Sequence, residues 1–162
     1  LAVIGDAKLV LREIISDLRP AVLDALGTQA AVETLLDRAR MRSSLAVECT
    51  IDLAYESGRA STRHVPSLEA GIYRIAQEAI TNAFKHAQAS RLILTLKEDA
   101  ETVALSVEDD GRGFVEAESS NGGFGLIGMR ERVELLGGTL KVTSHAGRGT
   151  RIDVVVPMQK GS

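Results

Sequence analysis

A carboxylate, a neutral amide and a cation follow one another at helical spacing in the middle of the chain. Glu78, Asn82 and Lys85 stand four and three residues apart within LEAGIYRIAQEAITNAFKHAQ, residues 68–88. Side chains at this spacing line one stripe of an α-helix. The stripe offers oxygen ligands to a metal ion and a positive charge to an anion, but an ordinary solvated helix face has the same pattern. The helix alone leaves both interpretations open.

Two glycine-rich loops follow this helix. DDGRG, residues 109–113, ends a run of alternating and β-branched residues, TVALSVEDD, that predicts a strand. GGFGLIGM, residues 122–129, opens a second amphipathic segment, where glycines at a helix N-terminus let backbone N–H groups approach an anion. The letters also spell G-x-G-x-x-G through Gly128. A polar loop precedes them instead of a strand, which argues against a dinucleotide-binding unit, and a Walker A loop is missing.

Together with GRGT at residues 147–150, these motifs resemble the ATP-binding domain shared by sensor histidine kinases, gyrase, Hsp90 and MutL, the GHKL or Bergerat fold. EAITN, residues 78–82, resembles the N box, DDGRG the D-x-G-x-G box, and GFGL, residues 123–126, the second glycine box. Four motifs in this order are more specific than any one of them. The resemblance implies an α+β fold, a two-layer α/β sandwich with helices on one face of a mainly antiparallel mixed sheet.

LRPAVLDALG, residues 18–27, is similar to the exit of the second dimerisation helix in the nitrate-sensor-like subfamily of histidine kinases. NAFKHAQAS and GLIGMRERVELLGGTL resemble the same subfamily. The resemblance implies a remnant of that helix and its linker at residues 1–26, the ATP-binding catalytic domain at 27–158, and a frayed tail at 159–162. Apolar residues at heptad spacing agree with a helix over residues 1–19: Ile4, Ala7, Leu11, Ile14 and Leu18.

The resemblance also implies a role for each motif residue. Asp109 matches the aspartate that accepts a hydrogen bond from the exocyclic amine of adenine, where guanine offers an acceptor instead. Asn82 matches the Mg²⁺ ligand, Lys85 a phosphate contact, and Glu78 either a base that activates water or a residue that positions water or metal. Glu78, Asn82 and Lys85 form the implied catalytic set. The residues implied to bind ATP with Mg²⁺ are Asn82, Lys85, His86, Asp109, Gly111, Gly113, Gly123, Phe124, Gly125, Leu126 and Thr150.

The implied function is that of the catalytic ATP-binding domain of a two-component sensor histidine kinase. Such a domain binds Mg-ATP for phosphoryl transfer to a histidine and thence to a response regulator. No histidine followed by an acidic residue precedes LRP. We therefore expect the acceptor to lie outside this chain, on the dimerisation helix of a homodimeric parent, and the fragment to be unable to autophosphorylate. The alternatives are an anti-sigma-factor serine kinase, against which the LRP segment argues, and a module that binds nucleotide without transferring it.

The composition argues against other partners and settings. The chain has 162 residues, with 19 Lys and Arg against 22 Asp and Glu, so it lacks the basic footprint of a nucleic-acid binder. No apolar run approaches the roughly 18 residues of a membrane span. We expect a cytoplasmic domain that makes no membrane contact of its own. Cys49, within AVECTIDL, is expected to be a small buried residue, and His64 and His145 are expected at the surface.

The remaining pattern predicts the elements that hold these motifs. Helices are expected over residues 28–42, 68–88 and from 129, and strands near 46–54, 90–97, 102–109, 139–145 and 150–157. Residues 114–122 are rich in Gly, Ser and Asn and predict a mobile lid. Pro20 and Gly27 predict a break between the first two helices. The core face of the third helix is predicted to carry Ile72, Ile75, Ala76, Ala79, Ile80 and Ala83.

Overall fold

The computed structural model describes residues 20–85, 87–114 and 124–158. In these ranges the chain forms one five-stranded sheet and three helices. The helices are α1 (Ala21–Arg42), α2 (Pro66–Lys85) and α3 (Phe124–Leu135). The strands are β1 (Ala46–Asp52), β2 (Arg91–Glu98), β3 (Thr102–Asp109), β4 (Thr139–Ser144) and β5 (Thr150–Pro157).

The sheet has the strand order β1-β2-β3-β5-β4. Only the β1–β2 pair in the described part is parallel, and the other three pairs are antiparallel. Side chains alternate along the central strands, so one face of the sheet is buried and the other is open to solvent. The buried face carries Leu92, Leu94, Leu96, Val103, Leu105, Val107, Ile152, Val154 and Val156. The predicted α+β class with a mainly antiparallel mixed sheet is confirmed.

The helix that carries the polar stripe begins at Pro66, where a missing N–H costs nothing because first-turn N–H groups have no partner within the helix. All six residues predicted for its core face are buried: Ile72, Ile75, Ala76, Ala79, Ile80 and Ala83. The three alanines leave little side chain between the helix and the sheet, so α2 packs closely on β3. Glu78 and Asn82 on the next stripe are half-buried, and Lys85 at the end is exposed.

Helix α1 is interrupted at Gly27, whose φ of 90° and ψ of −179° lie outside the helical region. Pro20 precedes the first part, and the interruption lies where Gly27 predicts it. Beyond it, Ala31, Leu35, Leu36 and Ala39 are buried in the core. Leu23, before the break, is fully buried in the same cluster. The heptad positions of residues 1–19 lie outside the described residues, and the proposed domain boundaries stay a prediction.

Arg63 fastens the short segment before Gly27 to the start of α2. Its guanidinium donates to the carboxylate of Glu69 through Nε and Nη2, each at 2.8 Å. The same guanidinium donates to the backbone oxygens of Leu23 and Asp24. Glu69 is only 3% exposed, so this charge-assisted contact lies largely out of water. On the other side of the break, Gln29 N donates to Oε1 of Glu56 at 3.3 Å.

The prediction that Cys49 is buried is wrong, because the residue is exposed. Cys49 lies on β1, which is an edge strand. Helix α1 does not cover the middle of this strand, and a groove between them is lined by Cys49, Glu33 and Arg40 among others. Partial burial and the nearby Glu33 carboxylate raise the pKa of the thiol.

The expectation that His64 is a surface residue is also wrong. Its side chain is 12% exposed, and Nε2 lies 2.9 Å from Oε2 of Glu98 at the end of β2. His145 is exposed, as predicted. Over the described residues, no helix combines the length and the apolar character that crossing a membrane requires.

Arg63→Ala is expected to lower the free energy of unfolding by about 3 kcal/mol, because it leaves the buried Glu69 carboxylate without its guanidinium partner. Urea denaturation followed by circular dichroism measures the change. Arg59→Ala is the matched control, because Arg59 pairs with Asp52 at the surface, where both side chains are about half exposed. Equal losses in the two variants would contradict a stabilising role of the Arg63 contact.

Candidate functional site

The polar stripe of α2 faces the first turn of α3. A Cβ added to Gly125 would overlap Oε1 and Cδ of Glu78. The carboxylate of Glu78 therefore rests directly on the backbone of Gly125, and a larger residue there would have to displace it. Because Glu78 belongs to EAITN and Gly125 to GFGL, the fold brings the first and third motifs into contact.

The end of α2 is joined to the DDGRG loop through Ala87. The backbone oxygen of Asn82 accepts from Ala87 N at 3.1 Å, and the oxygen of Ala87 accepts from Arg112 N at 2.7 Å. Gly111 is buried, and a Cβ there would overlap the backbone and side chain of Ala87. The helix end and the loop approach each other closely because Gly111 has no side chain. This contact places Asn82 and Lys85 beside the second motif.

The two neighbouring aspartates of this motif have different environments. Asp110 is exposed, and its carboxylate accepts from Ser90 N at 2.8 Å, Ser90 Oγ at 2.6 Å and Arg91 N at 2.8 Å. The hydrogen bond from the Ser90 hydroxyl is the main cause that lowers the pKa of Asp110. Its carboxylate is thus occupied in holding the start of β2.

Asp109 is half-buried and has fewer partners. Its Oδ1 accepts from Gly111 N at 2.8 Å. Burial is the main cause that raises its pKa, while hydrogen bonds from the backbone of Gly111 and Thr150 act in the opposite direction. Since a carboxylate offers about four lone-pair sites, Asp109 can accept further hydrogen bonds from a bound molecule.

The DDGRG loop is interlocked with the turn between β4 and β5. Gly149 has a φ of 80°, and a Cβ there would overlap the backbone oxygen of Asp109. Gly113 has a φ of 59°, and a Cβ there would overlap the oxygen of His145. Gly147 N also donates to the oxygen of Arg112 at 2.6 Å. The second and fourth motifs are therefore one packed unit, held by contacts between backbones.

Thr150 lies opposite Asp109 in the β3–β5 register, which places both side chains on one face of the sheet. Its hydroxyl lies 2.9 Å from Oγ of Ser144. Ser144 also accepts from Phe114 N at 2.9 Å and lies 3.1 Å from the oxygen of Gly149. Ser144 lies outside all four sequence motifs. Only the β4–β5 register, in which Ser144 pairs with Thr150, could have identified it.

The remaining predicted site residues are distributed as follows. Phe124 and Leu126 lie in the first turn of α3, and Leu126 packs partly against the core. His86 and Gly123 lie outside the described residues, as does the predicted lid beyond Phe114. Among the described residues, the fold thus collects Glu78, Asn82, Lys85, Asp109, Gly111, Gly113, Gly125 and Thr150 around the facing ends of α2, α3, β3 and β5.

This arrangement provides two kinds of chemistry. Asp109 and Thr150 offer hydrogen-bonding oxygens on one face of the sheet, which suits a molecule with an amino group. Asn82 offers an amide oxygen suited to a hard cation such as Mg²⁺, and Lys85 a positive charge for an anion. Gly125 lies in the first turn of α3, where backbone N–H groups have no partner within the helix and the helix dipole favours negative charge.

Comparisons with known proteins agree with these features. Residues 67–160 match the family described as histidine kinase-, DNA gyrase B-, and HSP90-like ATPase. The chain is 33% identical over 155 residues to the sensor histidine kinase LiaS of Bacillus subtilis (strain 168). That alignment covers 95% of this chain and 41% of LiaS, so the chain spans less than half of this curated relative.

Two solved structures have a similar fold. The histidine kinase domain of the blue-light activated histidine kinase from Erythrobacter litoralis EL346 is 27% identical, with a TM-score of 0.58 over 79% of this chain and 61% of that one. The ATP binding domain of PrrB from Mycobacterium tuberculosis is 24% identical, with a TM-score of 0.61 over 82% of this chain and 94% of that one. The second likeness concerns the fold alone.

Gly149→Ala is expected to lower the free energy of unfolding by about 2 to 4 kcal/mol, since the new Cβ both overlaps the Asp109 backbone and occupies a left-handed conformation. Urea denaturation measures the change. Gly147→Ala is the matched control in the same turn: its φ is 75°, but nothing lies within 4 Å of the new Cβ. Its loss should be limited to the conformational strain of about 1 to 2 kcal/mol. Equal decreases in the free energy of unfolding of the two variants would argue against close packing of Gly149 on the Asp109 backbone.

Proposed function

Because the chain belongs to the histidine kinase-, DNA gyrase B-, and HSP90-like ATPase family, we propose that it is the catalytic ATP-binding domain of a two-component sensor histidine kinase. The observation that carries this proposal is the half-buried carboxylate of Asp109, which keeps free acceptor sites where three motifs meet. The likeness to LiaS over 95% of the chain supports the choice of kinase within the family.

The adenine of ATP would bind beside Asp109. Its exocyclic amine would donate to the carboxylate, whose neighbour Thr150 completes the contact. Guanine would place a carbonyl oxygen against the same carboxylate and leave buried groups unpaired, at a cost of roughly 1 to 3 kcal/mol. Gly111 and Gly113 support this site indirectly, because their missing side chains let Ala87 and His145 pack against the loop that holds Asp109.

The phosphates and Mg²⁺ would lie towards the polar stripe of α2. No hydrogen bond of the Asn82 side chain to another described residue is seen, so its amide oxygen fits a Mg²⁺ ion that also holds waters and phosphates. When bound, Mg²⁺ neutralises phosphate charge.

Lys85 would pair with a phosphate, and the phosphate side would be lined by the backbone at Gly125 together with Gly123, Phe124 and Leu126. Glu78 would act as a base or position water. His86 would lie near the phosphates.

The phosphoryl acceptor would be a histidine on the dimerisation helix of a homodimeric, cytoplasmically exposed parent, and a response regulator would receive the phosphoryl group next. His64 is unsuited to that role because its side chain is mostly buried against Glu98. Residues 1–26 would belong to the dimerisation helix and its linker, and residues 27–158 to the catalytic domain. Neither nucleic acid nor membrane is a proposed partner.

Asp109→Asn is expected to weaken ATP binding in calorimetry by more than about tenfold, because a charged hydrogen bond contributes about 1.5 to 3 kcal/mol. Asp110→Asn is the matched control, since that carboxylate faces Ser90 and Arg91. Its ATP affinity should stay close to that of the unmodified chain. Unchanged affinity in a folded Asp109→Asn protein would exclude the proposed adenine site.

The affinity should also depend on pH in one direction. The amine of adenine donates a stronger hydrogen bond to an ionised carboxylate than to a protonated one, and burial raises the pKa of Asp109 above its ordinary value of 3.8. ATP affinity is therefore expected to fall as the pH is lowered through this raised pKa. The Asp109→Asn protein should lack this step, and its persistence there would assign the titration to another group.

The kinase proposal is tested by transfer to a separate acceptor. The parent's histidine-bearing dimerisation helix is supplied on another chain with labelled ATP, and we expect acid-labile phosphate on that helix only when Mg²⁺ is present. Asn82→Ala should lower the rate of phosphoryl transfer by roughly tenfold or more. Glu78→Gln should also slow transfer, but it should leave ATP binding nearly intact. ATP binding without any transfer would favour a nucleotide-binding module, and labelling of serine in a partner protein would favour a serine kinase.

A further inference from the structure

The hydroxyl of Ser144 has three polar neighbours and a single proton. Phe114 N lies 2.9 Å from its oxygen, the oxygen of Gly149 lies 3.1 Å away, and Oγ1 of Thr150 lies 2.9 Å away. A backbone N–H can only donate and a carbonyl oxygen can only accept, whereas a hydroxyl donates once and accepts twice. These rules restrict how the protons can be placed.

One arrangement satisfies all three contacts. Ser144 donates its proton to the oxygen of Gly149, which otherwise accepts only a long 3.4 Å contact from His145 N among the described backbone groups. One lone pair of Ser144 accepts from Phe114 N, and the other accepts the proton of Thr150. If Ser144 donated to Thr150 instead, the contact with Gly149 would be lost. The Thr150 hydroxyl therefore donates its proton to the Ser144 oxygen.

The consequence concerns what Thr150 presents to its surroundings. With its proton directed at Ser144, the Thr150 hydroxyl offers only lone pairs elsewhere. Asp109 lies directly opposite Thr150 in the β3–β5 pair, so the two side chains lie on the same face of the sheet. The two side chains together then form a surface made only of acceptors. Such a surface binds a group rich in N–H donors and repels a carbonyl oxygen.

We propose that Ser144 is a specificity-determining positioning residue: it fixes the Thr150 hydroxyl as an acceptor, so that the base site beside Asp109 selects a base bearing an amino group. This inference rests on the proposed nucleotide site and adds a residue to it. Ser144 acts through Thr150 and does not itself touch the base. Without the Ser144 oxygen, Thr150 could rotate and donate its proton towards the site, which would relieve the repulsion of a carbonyl oxygen.

The test compares the affinities of ATP and ITP, measured by calorimetry with Mg²⁺. The two nucleotides differ only in the six-membered ring, where hypoxanthine has a carbonyl oxygen in place of the amine and a protonated N1. Ser144→Ala is expected to lower the ratio of ATP to ITP affinity by about fivefold or more, the equivalent of one hydrogen bond.

Two control variants accompany this test. Ser144→Thr, which keeps a hydroxyl on the same Cβ, should have the same ratio as the unmodified chain. Thr143→Ala removes a hydroxyl from the neighbouring position on the same strand, which faces the other side of the sheet, and should leave the ratio unchanged.

A second background shows whether Ser144 acts through Thr150. In a Thr150→Val chain, which has no hydroxyl to orient, Ser144→Ala should no longer change the ratio. If Ser144→Ala weakens ATP and ITP equally in the normal background, its role is only structural and the inference is overturned. Should Ser144→Ala fail to fold, Ser144→Cys provides the same comparison, because a thiol is a weak acceptor and donor.

The outcomes also separate this inference from the proposed function. An unmodified chain that binds no ATP contradicts both. An unmodified chain that binds ATP, combined with a ratio that does not respond to Ser144→Ala or Ser144→Cys, overturns the role of Ser144 alone and leaves the nucleotide site standing.

Discussion

The geometry of the site depends on a close approach of two backbones. Gly149 lies against the backbone oxygen of Asp109, and Gly113 against that of His145, at distances that any Cβ would prevent. This contact sets the register in which Thr150 faces Asp109 and places Ser144 within reach of Phe114. The glycines of the second and fourth motifs are thus needed first for packing against each other, and the base site follows from that packing.

The sequence predicted the fold well because its helices and strands have clear periodicity. The described strands end within two residues of the predicted bounds, and the predicted core face of α2 is buried throughout. The expectations for Cys49 and His64 are wrong because the burial of these residues depends on tertiary neighbours: a groove beside an edge strand for Cys49, and the distant Glu98 for His64. Ser144 could not be found without the hairpin register. Local periodicity carries no information about such contacts.

Two adjacent carboxylates show how the fold divides similar residues between structure and chemistry. Asp109 ends β3 with its side chain turned towards Thr150 and away from bulk water, so burial raises its pKa. Asp110, the first residue after β3, is exposed, and three donors from Ser90 and Arg91 occupy its carboxylate. The sequence motif therefore contains one carboxylate that holds the sheet together and another that retains acceptor sites.

The same helix that carries Glu78 and Asn82 is also tied to the segment that precedes Gly27. Arg63 donates to Glu69 in the first turn of α2 and to the carbonyl oxygens of Leu23 and Asp24 before the break, while Glu56 accepts from Gln29 just after it. Gly27 itself has the left-handed φ that lets the chain change direction between these two contacts. The segment at residues 21–26 is consequently held to α2 by charge-assisted hydrogen bonds and is not a flexible linker. Because α2 is one continuous helix from Glu69 to Lys85, any displacement that these bonds transmit reaches the polar stripe as a movement of the whole helix.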